Sequence, residues 1–220
     1  VLEVGPGIGA LTTALAEHVR HVVALELDKT LASALTKLFA EQPNVQVLQS
    51  DARKVNISTI LPESVPYKLI ANLPYYAANP ILRHFLEASR QPTRLVVMVQ
   101  REVAQGMAAP PGRMGLLAVA VQFYGTPTIV GYVQPESFWP PPKVTSAIVR
   151  IDVHAKPFLS VADTPKFFSV VRAGFSAPRK QLRNALSHSL QISDVDVTAL
   201  LNLAEIDPRR RAETLSLPEW

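Results

Sequence analysis

The 220-residue chain contains no cysteine. That excludes disulfides, thiolate metal sites and a cysteine nucleophile, and it fits a reducing, cytoplasmic setting. No apolar run approaches the ~18 residues that a membrane-spanning helix needs. The five histidines, His18, His21, His84, His154 and His188, share no metal-ligand spacing, so they read as structural or surface residues and no metal is expected. No serine or threonine stands in a nucleophile-elbow context, which sets hydrolase chemistry aside. Internal repeats and low-complexity tracts are also missing. The chain opens at Val1, already inside "VLEV" and without an initiator Met, so an upstream segment is expected.

What is present points to a folded α/β protein. The chain is 48% hydrophobic and long enough for one full domain and a smaller second one. Its net charge of +4 permits an anionic partner without requiring one. The 19 prolines exceed the average usage of ~5%. They gather in "NLPYYAANP", "APPG" and "PESFWPPPK", which read as shaped loops. Short β-branched runs, "VLEV", "HVVALEL", "VQVLQS", "YKLIAN" and "RLVVMVQ", alternate with amphipathic stretches at Ile8–His18, Lys29–Ala40 and Pro80–Ala88. This order predicts a doubly wound, Rossmann-like parallel sheet covered by helices. Two later runs, "TIVGYV" and "SAIVRID", have no helix between them and predict an antiparallel edge hairpin. From about Pro157 the pattern is purely helical. The expected division is therefore 1–156 for the α/β domain and 157–220 for a small all-helical domain.

The strand ends carry the chemistry. "EVGPGIGALT" joins the first strand to the first helix. Gly5, Gly7 and Gly9 allow a tight turn and a close ligand approach. Through Gly5, Gly7 and Ala10 the string also fits the dinucleotide pattern G-x-G-x-x-G/A, so a nicotinamide cofactor stays open. Glu26, at the end of "ALELD", can accept both ribose hydroxyls of either NAD or S-adenosylmethionine. Asp51 in "SDAR" can accept from an adenine amino group or cap a helix. Successive strand ends of this kind define one crevice.

The fourth strand end separates the cofactors. "NLPY" (72–75) is ordinary turn chemistry taken alone, and a dehydrogenase has no evident use for it. A methyltransferase acting on an exocyclic amine does. The lone pair of the adenine amino group is delocalised into the ring. The Asn72 side-chain oxygen and a backbone carbonyl of the Leu73–Pro74 pair can accept its two N–H bonds and turn the lone pair out of plane. Tyr75 can stack on a base swung out of its helix.

Here the chain resembles a known family, the small-subunit ribosomal RNA adenine N6,N6-dimethyltransferases of the KsgA type. "LEVGPGIGALT", "ELD", "SDA", "NLPY", "FWPPPKVTSAIVR" and "RKQLRNAL" stand in family order along essentially the whole chain. The resemblance implies S-adenosylmethionine as cofactor, held by Gly5, Gly7, Glu26, Asp51, Ala52 and Asn72. Asn72, Leu73, Pro74 and Tyr75 would act on the base, and Phe138 would cover its second face. Core packing before a rigid proline turn is the plainer role for Phe138. The implied reaction is dimethylation of two adjacent adenines in the 3′-terminal hairpin of small-subunit rRNA. Positioning and desolvation carry most of it. The implied partner is a precursor of the small ribosomal subunit, with no membrane, no metal and a monomeric enzyme.

Some features depart from the family. Nothing matches its Gln-Asn-Phe-Leu-like N-terminal segment, so the chain is expected to hold the cofactor weakly. Tyr76 stands where many members have Asn, and "PPGRMGLLAV" lacks a common Tyr-Gly pair. Arg172, Arg179, Lys180 and Arg183 form a candidate RNA surface, against the simpler reading of a solvated helix face. Arg83, Arg90, Arg94, Arg101 and Arg113 form a second candidate. "DPRRRAE" is a third, in which the arginines could instead pair with Asp207 and Glu213. Two other functions remain open: the sister enzymes that methylate large-subunit RNA and confer antibiotic resistance, and a ribosome-assembly or transcription-accessory binding protein.

Overall fold

The computed structural model describes residues 1–156, 159–160 and 162–220. Pro157, the expected start of the helical region, lies outside them. The chain divides into two compact units, one of Val1–Ala104 with Thr126–His154 and the other of Gln105–Gly125 with Ala155–Trp220.

The first unit is built on a sheet whose strands are β1 (Leu2–Val4), β2 (Val22–Glu26), β3 (Val45–Gln49), β4 (Lys68–Asn72), β5 (Arg94–Gln100), β6 (Gly125–Val133) and β7 (Ser146–Val153). They lie in the order β3-β2-β1-β4-β5-β7-β6. The pairs among β1 to β5 are parallel, and β7 runs antiparallel against β5. β2 is buried along its whole length, as a strand covered on both faces must be, and its sequence VVALE is accordingly almost uninterrupted by polar residues. β5 and β7 instead alternate: Leu95, Val97 and Val99 are buried opposite Ile151, Val149 and Ala147. The order 3-2-1-4-5 reverses direction at β1, so the C-terminal ends of β1 and β4 flank the topological switch point where such sheets bind ligands.

Helices α1 (Ala10–His18), α2 (Lys29–Leu38), α3 (Ile57–Ile60) and α4 (Ala78–Leu86) connect the parallel strands, and α5 (Arg101–Met107) follows β5. Asp28 fixes the start of α2 by accepting the Leu31 N–H at 2.9 Å, satisfying one of the unpaired donors there. Ala32 and Leu35, spaced one turn apart, form its buried face. Gly9 precedes α1 with a φ of +89°. A Cβ built there would lie 2.9 Å from Leu35 Cδ2 and 3.1 Å from Phe39 Cε2. The glycine is therefore required by backbone conformation and by the close approach of α2. Glu3, between Leu2 and Val4, is only 1% exposed and its Oε2 has no hydrogen-bond partner. Burial pushes its carboxyl above the ordinary range.

The second unit takes in more of the chain than the sequence pattern predicts. Besides α7 (Thr164–Gly174), α8 (Leu182–Leu190) and α9 (Asp194–Leu203), it includes α6 (Leu116–Gln122). α6 reads LLAVAVQ, apolar nearly all round, and such a helix needs cover. It obtains this cover from α7, in a cluster of Met114, Ala118, Val119, Phe123, Phe167, Phe168 and Val171. The interleaved boundary is invisible to a linear reading because residues 126–154 of the first unit separate the two segments in the chain. A second cluster joins Leu182, Leu186, Val197 and Leu201. The C-terminal turns are clasped by Arg210, whose guanidinium meets the Glu219 carboxylate. Glu219 also accepts the Ser216 N–H at 2.7 Å. The Arg210 hydrogen bond, followed by those from Ser216, lowers the Glu219 carboxyl to about 2. Among the described residues, no helix is long and apolar enough to cross a membrane.

Two stability predictions follow from these contacts. Gly9→Ala should destabilise the protein by about 2–4 kcal/mol, from left-handed strain plus overpacking against α2. Urea unfolding would measure this, and a loss near zero would mean α2 yields freely. The Arg210–Glu219 clasp stabilises the fold above the ordinary glutamate value of 4.5, and this contribution disappears as pH falls towards 2. Both groups are about a third exposed, so the screened contribution is about 1 kcal/mol. Glu219→Gln should flatten the acid side of a stability–pH curve below pH 4.5 while leaving its shape near neutrality unchanged.

Candidate functional site

A cleft of 490 Å³ opens at the C-terminal ends of β1 to β4, within the volume range of small-molecule and cofactor sites. Its first wall is the glycine loop. The Gly5 N–H bonds to the Leu25 carbonyl at 3.0 Å, which joins the loop to the end of β2. Gly7 has a φ of +59°, and nothing lies within 4 Å of where its Cβ would be. The position thus needs glycine for its conformation, and the open space in front of it lets a ligand approach the backbone.

Glu26, 8% exposed, closes this wall. Its Oε2 accepts the Gly7 N–H at 3.3 Å, and its Oε1 accepts the Asp28 N–H at 2.9 Å. Each oxygen has one further acceptor site, so Glu26 can brace the loop and still receive donors from the cleft. Sequence reasoning expects a ligand-accepting role for Glu26 and misses its bracing of the loop. Asp51 follows β3. Its two oxygens grip the Arg53 guanidinium at 2.9 and 2.8 Å, and Oδ1 also takes the Arg53 N–H at 2.9 Å. The Arg53 side chain, then its backbone N–H, hold the Asp51 carboxyl at about 2. Asp51 does not cap α3, whose N-cap is Asn56. Ala52 lines the cleft beside it.

The third wall is the end of β4. Asn72 is paired with Met98 in the ladder, and its carbonyl oxygen lies 3.9 Å from where a Gly5 Cβ would be. The chain then spends its backbone groups unequally. The Leu73 N–H bonds to the Met98 carbonyl at 3.1 Å, and the Pro74 carbonyl accepts the Ala77 N–H at 2.9 Å. Among the described residues, the Leu73 carbonyl and the Asn72 side chain have no hydrogen-bond partner. Of the two carbonyls open on sequence grounds, Leu73's is without a partner among the described residues, whereas Pro74's already accepts one bond in the turn into α4.

Two aromatics complete the site. Tyr75 Oη and Ser146 Oγ are 2.7 Å apart. Ser146 is fully buried and lies opposite Gln100 in the β5–β7 ladder, so it anchors the ring to the sheet. Phe138 follows a 3₁₀ turn at Pro135–Ser137 and donates its N–H to the Pro135 carbonyl at 3.1 Å. Tyr75 and Phe138 both line the cleft without a ring contact between them. Gly5, Gly7, Glu26, Asp51, Ala52, Asn72, Leu73, Pro74, Tyr75 and Phe138 are thus brought together. Arg53, Tyr76, Pro140 and Pro142 line the cleft as well; for Arg53, its position two residues after Asp51 was the available signal. No group of three or more potential metal ligands occurs among the described residues.

The basic residues separate by their partners. Arg94 pairs with Asp152, Arg101 with Glu102 and Arg83 with Glu87, while Arg90 donates to the Leu61, Pro62 and Val65 carbonyls. Most of the second candidate surface is therefore neutralised or structural. Arg209 pairs with Asp207 and Arg211 with Glu213, as their spacing allows. Arg172 in the last turn of α7, Arg179 and Lys180 before α8, and Arg183 within it lie in the second unit, and none has a carboxylate partner among the described residues.

Comparison with known proteins places this site in a lineage. The family described as "Ribosomal RNA adenine dimethylase" matches residues 1–220. "Ribosomal RNA small subunit methyltransferase A" of Dehalococcoides mccartyi is 48% identical over 220 residues, covering 100% of this chain and 76% of that protein. The protein of the same name from Alkaliphilus oremlandii is 41% identical over 226 residues, covering 100% and 79%. Among solved structures, the 23S rRNA methyltransferase ErmE superposes with a TM-score of 0.76 at 27% identity, over 100% of this chain and 86% of that one. A dimethyladenosine transferase from Plasmodium falciparum reaches a TM-score of 0.81 at 24% identity, over 99% and 86%, a likeness of fold. With a glycine loop, paired acids and an Asn-Leu-Pro-Tyr strand end on one cleft, and with the family match spanning every residue, the chain belongs to the ribosomal RNA adenine dimethylase family.

Proposed function

We propose that the chain transfers methyl groups from S-adenosylmethionine to the N6 amino groups of two adjacent adenines in the 3′-terminal hairpin of small-subunit rRNA during ribosome biogenesis. One observation carries this reading: the Asn72 side chain and Leu73 carbonyl, without hydrogen-bond partners among the described residues, line the same cleft as a glycine loop and two aromatics, Tyr75 and Phe138. The relatives near 48% identity bear the small-subunit name, which ranks this reading above the large-subunit one suggested by the 27% identical structure.

The residues fit the cofactor. The space before Gly7 admits a ligand to the backbone, Glu26 retains acceptor sites for ribose hydroxyls, and Asp51 is an ionised acceptor for an adenine amine. When bound, S-adenosylmethionine supplies an electrophilic methyl group. The chain's own residues prepare the nucleophile. Asn72 Oδ1 and the Leu73 carbonyl accept the two N–H bonds of the target amine and turn its lone pair out of the ring plane. Tyr75, its hydroxyl tethered to Ser146, and Phe138 cover the two faces of the base and hold it in register. Arg172, Arg179, Lys180 and Arg183 supply unpaired positive charge for phosphates.

Small subunits lacking the modification, incubated with tritiated S-adenosylmethionine, should acquire dimethyladenosine. Asn72→Ala should lower kcat by roughly 10²-fold, the scale of losing one fixed transition-state hydrogen bond. Absence of label with the unmodified chain would overturn the assignment. Preferential labelling of protein-free large-subunit RNA would transfer it to the sister activity. Ser146→Ala and Tyr75→Phe should each reduce kcat/KM about five-fold, the worth of one net hydrogen bond. The double variant should be no worse than either alone, since both remove the same tether. Additive losses would show that Ser146 does not act through Tyr75.

A further inference from the structure

The most exposed large hydrophobic side chain among the described residues is Trp139, at 96%. An indole is a costly group to leave in water, and tryptophan is normally well covered. Its place in the chain is specific. Phe138 before it and Pro140 after it both line the cleft. Phe138 has extended backbone angles, φ −119° and ψ 153°, and successive side chains of extended backbone point to opposite sides. Phe138 faces the cleft, so Trp139 faces outward from its rim. Three consecutive prolines, Pro140, Pro141 and Pro142, fix φ along the segment that follows. The ring is thus presented on a stiff backbone, and little backbone freedom is lost when something stacks on it.

Given the proposed reaction, the geometry points to Trp139 as a stacking platform for the nucleotide next to the adenine held in the cleft. Consecutive Cα atoms are ~3.8 Å apart, so Phe138 and Trp139 offer two aromatic faces on opposite sides of one short segment. Those faces match two successive unstacked bases, one drawn in and one left outside. The substrate feature recognised is an unpaired nucleobase adjoining the target, read by its π-face rather than by its hydrogen-bonding edge. With two adjacent adenines as the target, the waiting base would rest on Trp139 while its neighbour reacts.

The test uses steady-state methylation of under-modified small subunits by the full chain. Trp139→Ala should raise KM for the particle on the order of ten-fold, the effect of one lost base–aromatic stack, and hold kcat within two-fold. Trp139→Phe should restore most of the loss, and Trp139→Leu should not. Unchanged KM in Trp139→Ala would overturn the proposal. So would equal rescue by Leu and Phe, which would instead identify an apolar contact with a ribosomal protein. A fluorescence titration is independent of catalysis. The only other tryptophan, Trp220, is packed against Phe175 with ring centroids 5.4 Å apart. A short single-stranded RNA carrying two adjacent adenines should quench emission of the unmodified chain, and this quench should vanish in Trp139→Phe. If the unmodified chain transfers no methyl group, the proposed reaction fails, and the quench alone then decides whether Trp139 binds a base. No quench overturns the role.

Discussion

The cleft depends on one carboxylate. Glu26 closes the end of β2 over the glycine loop, taking the Gly7 N–H with one oxygen and the Asp28 N–H with the other. A loop with successive positive-φ glycines has no side chains of its own to hold it in shape, and its backbone donors must find acceptors nearby. Glu26 supplies one, and the Leu25 carbonyl supplies another to Gly5. Asp28, whose own N–H Glu26 receives, is in turn the N-cap of α2. Three elements are thereby fixed at one point: the loop leaving β1, the end of β2 and the start of α2. The remaining walls are arranged around this corner.

The opposite side is set by the antiparallel strand inserted beside the parallel ones. β7 pairs with β5 so that Ser146 lies opposite Gln100, at the same end of the sheet as Asn72, which faces Met98 in β5. That register brings a buried hydroxyl to 2.7 Å from the Tyr75 hydroxyl and the proline-rich segment preceding β7 to the cleft. A slip of one residue would turn Ser146 to the other face of the sheet and release Tyr75. The aromatic slot is thus a consequence of strand pairing as well as of local sequence.

Charge in the protein is divided between neutralised and available groups. Arg53 is committed to Asp51, and Arg94, Arg101, Arg209 and Arg211 each have a carboxylate. Arg210 is the clasp of the C-terminal turns. Among the described residues, Arg172, Arg179, Lys180 and Arg183, around α7 and α8, have no carboxylate partner. Formal net charge conceals the difference, because a paired arginine contributes to the sum while offering little to a phosphate.

Much of this protein is legible in its sequence, for local reasons. Positive-φ turns need glycine, helix starts need residues such as Asp28, and a doubly covered strand needs a run such as VVALE. Each is a demand that the backbone places on the residue at that position. The βα alternation, the strand ends bearing Gly5, Glu26, Asp51 and Asn72, and the resemblance carried by "NLPY" and "FWPPPK" could therefore be read directly. Other features join residues far apart in the chain. Tyr75 meets Ser146 across seventy-one positions, α6 joins α7 in the second unit, and Arg94 meets Asp152 across the β5–β7 pair. The Leu73 N–H is taken by the Met98 carbonyl of the neighbouring strand, while the Leu73 carbonyl has no partner among the described residues. Sequence alone determined which residue types stand at the strand ends. Only the tertiary structure decided which of their polar groups stay free, because hydrogen bonds and packing are allotted among residues that meet only after the sheet has formed.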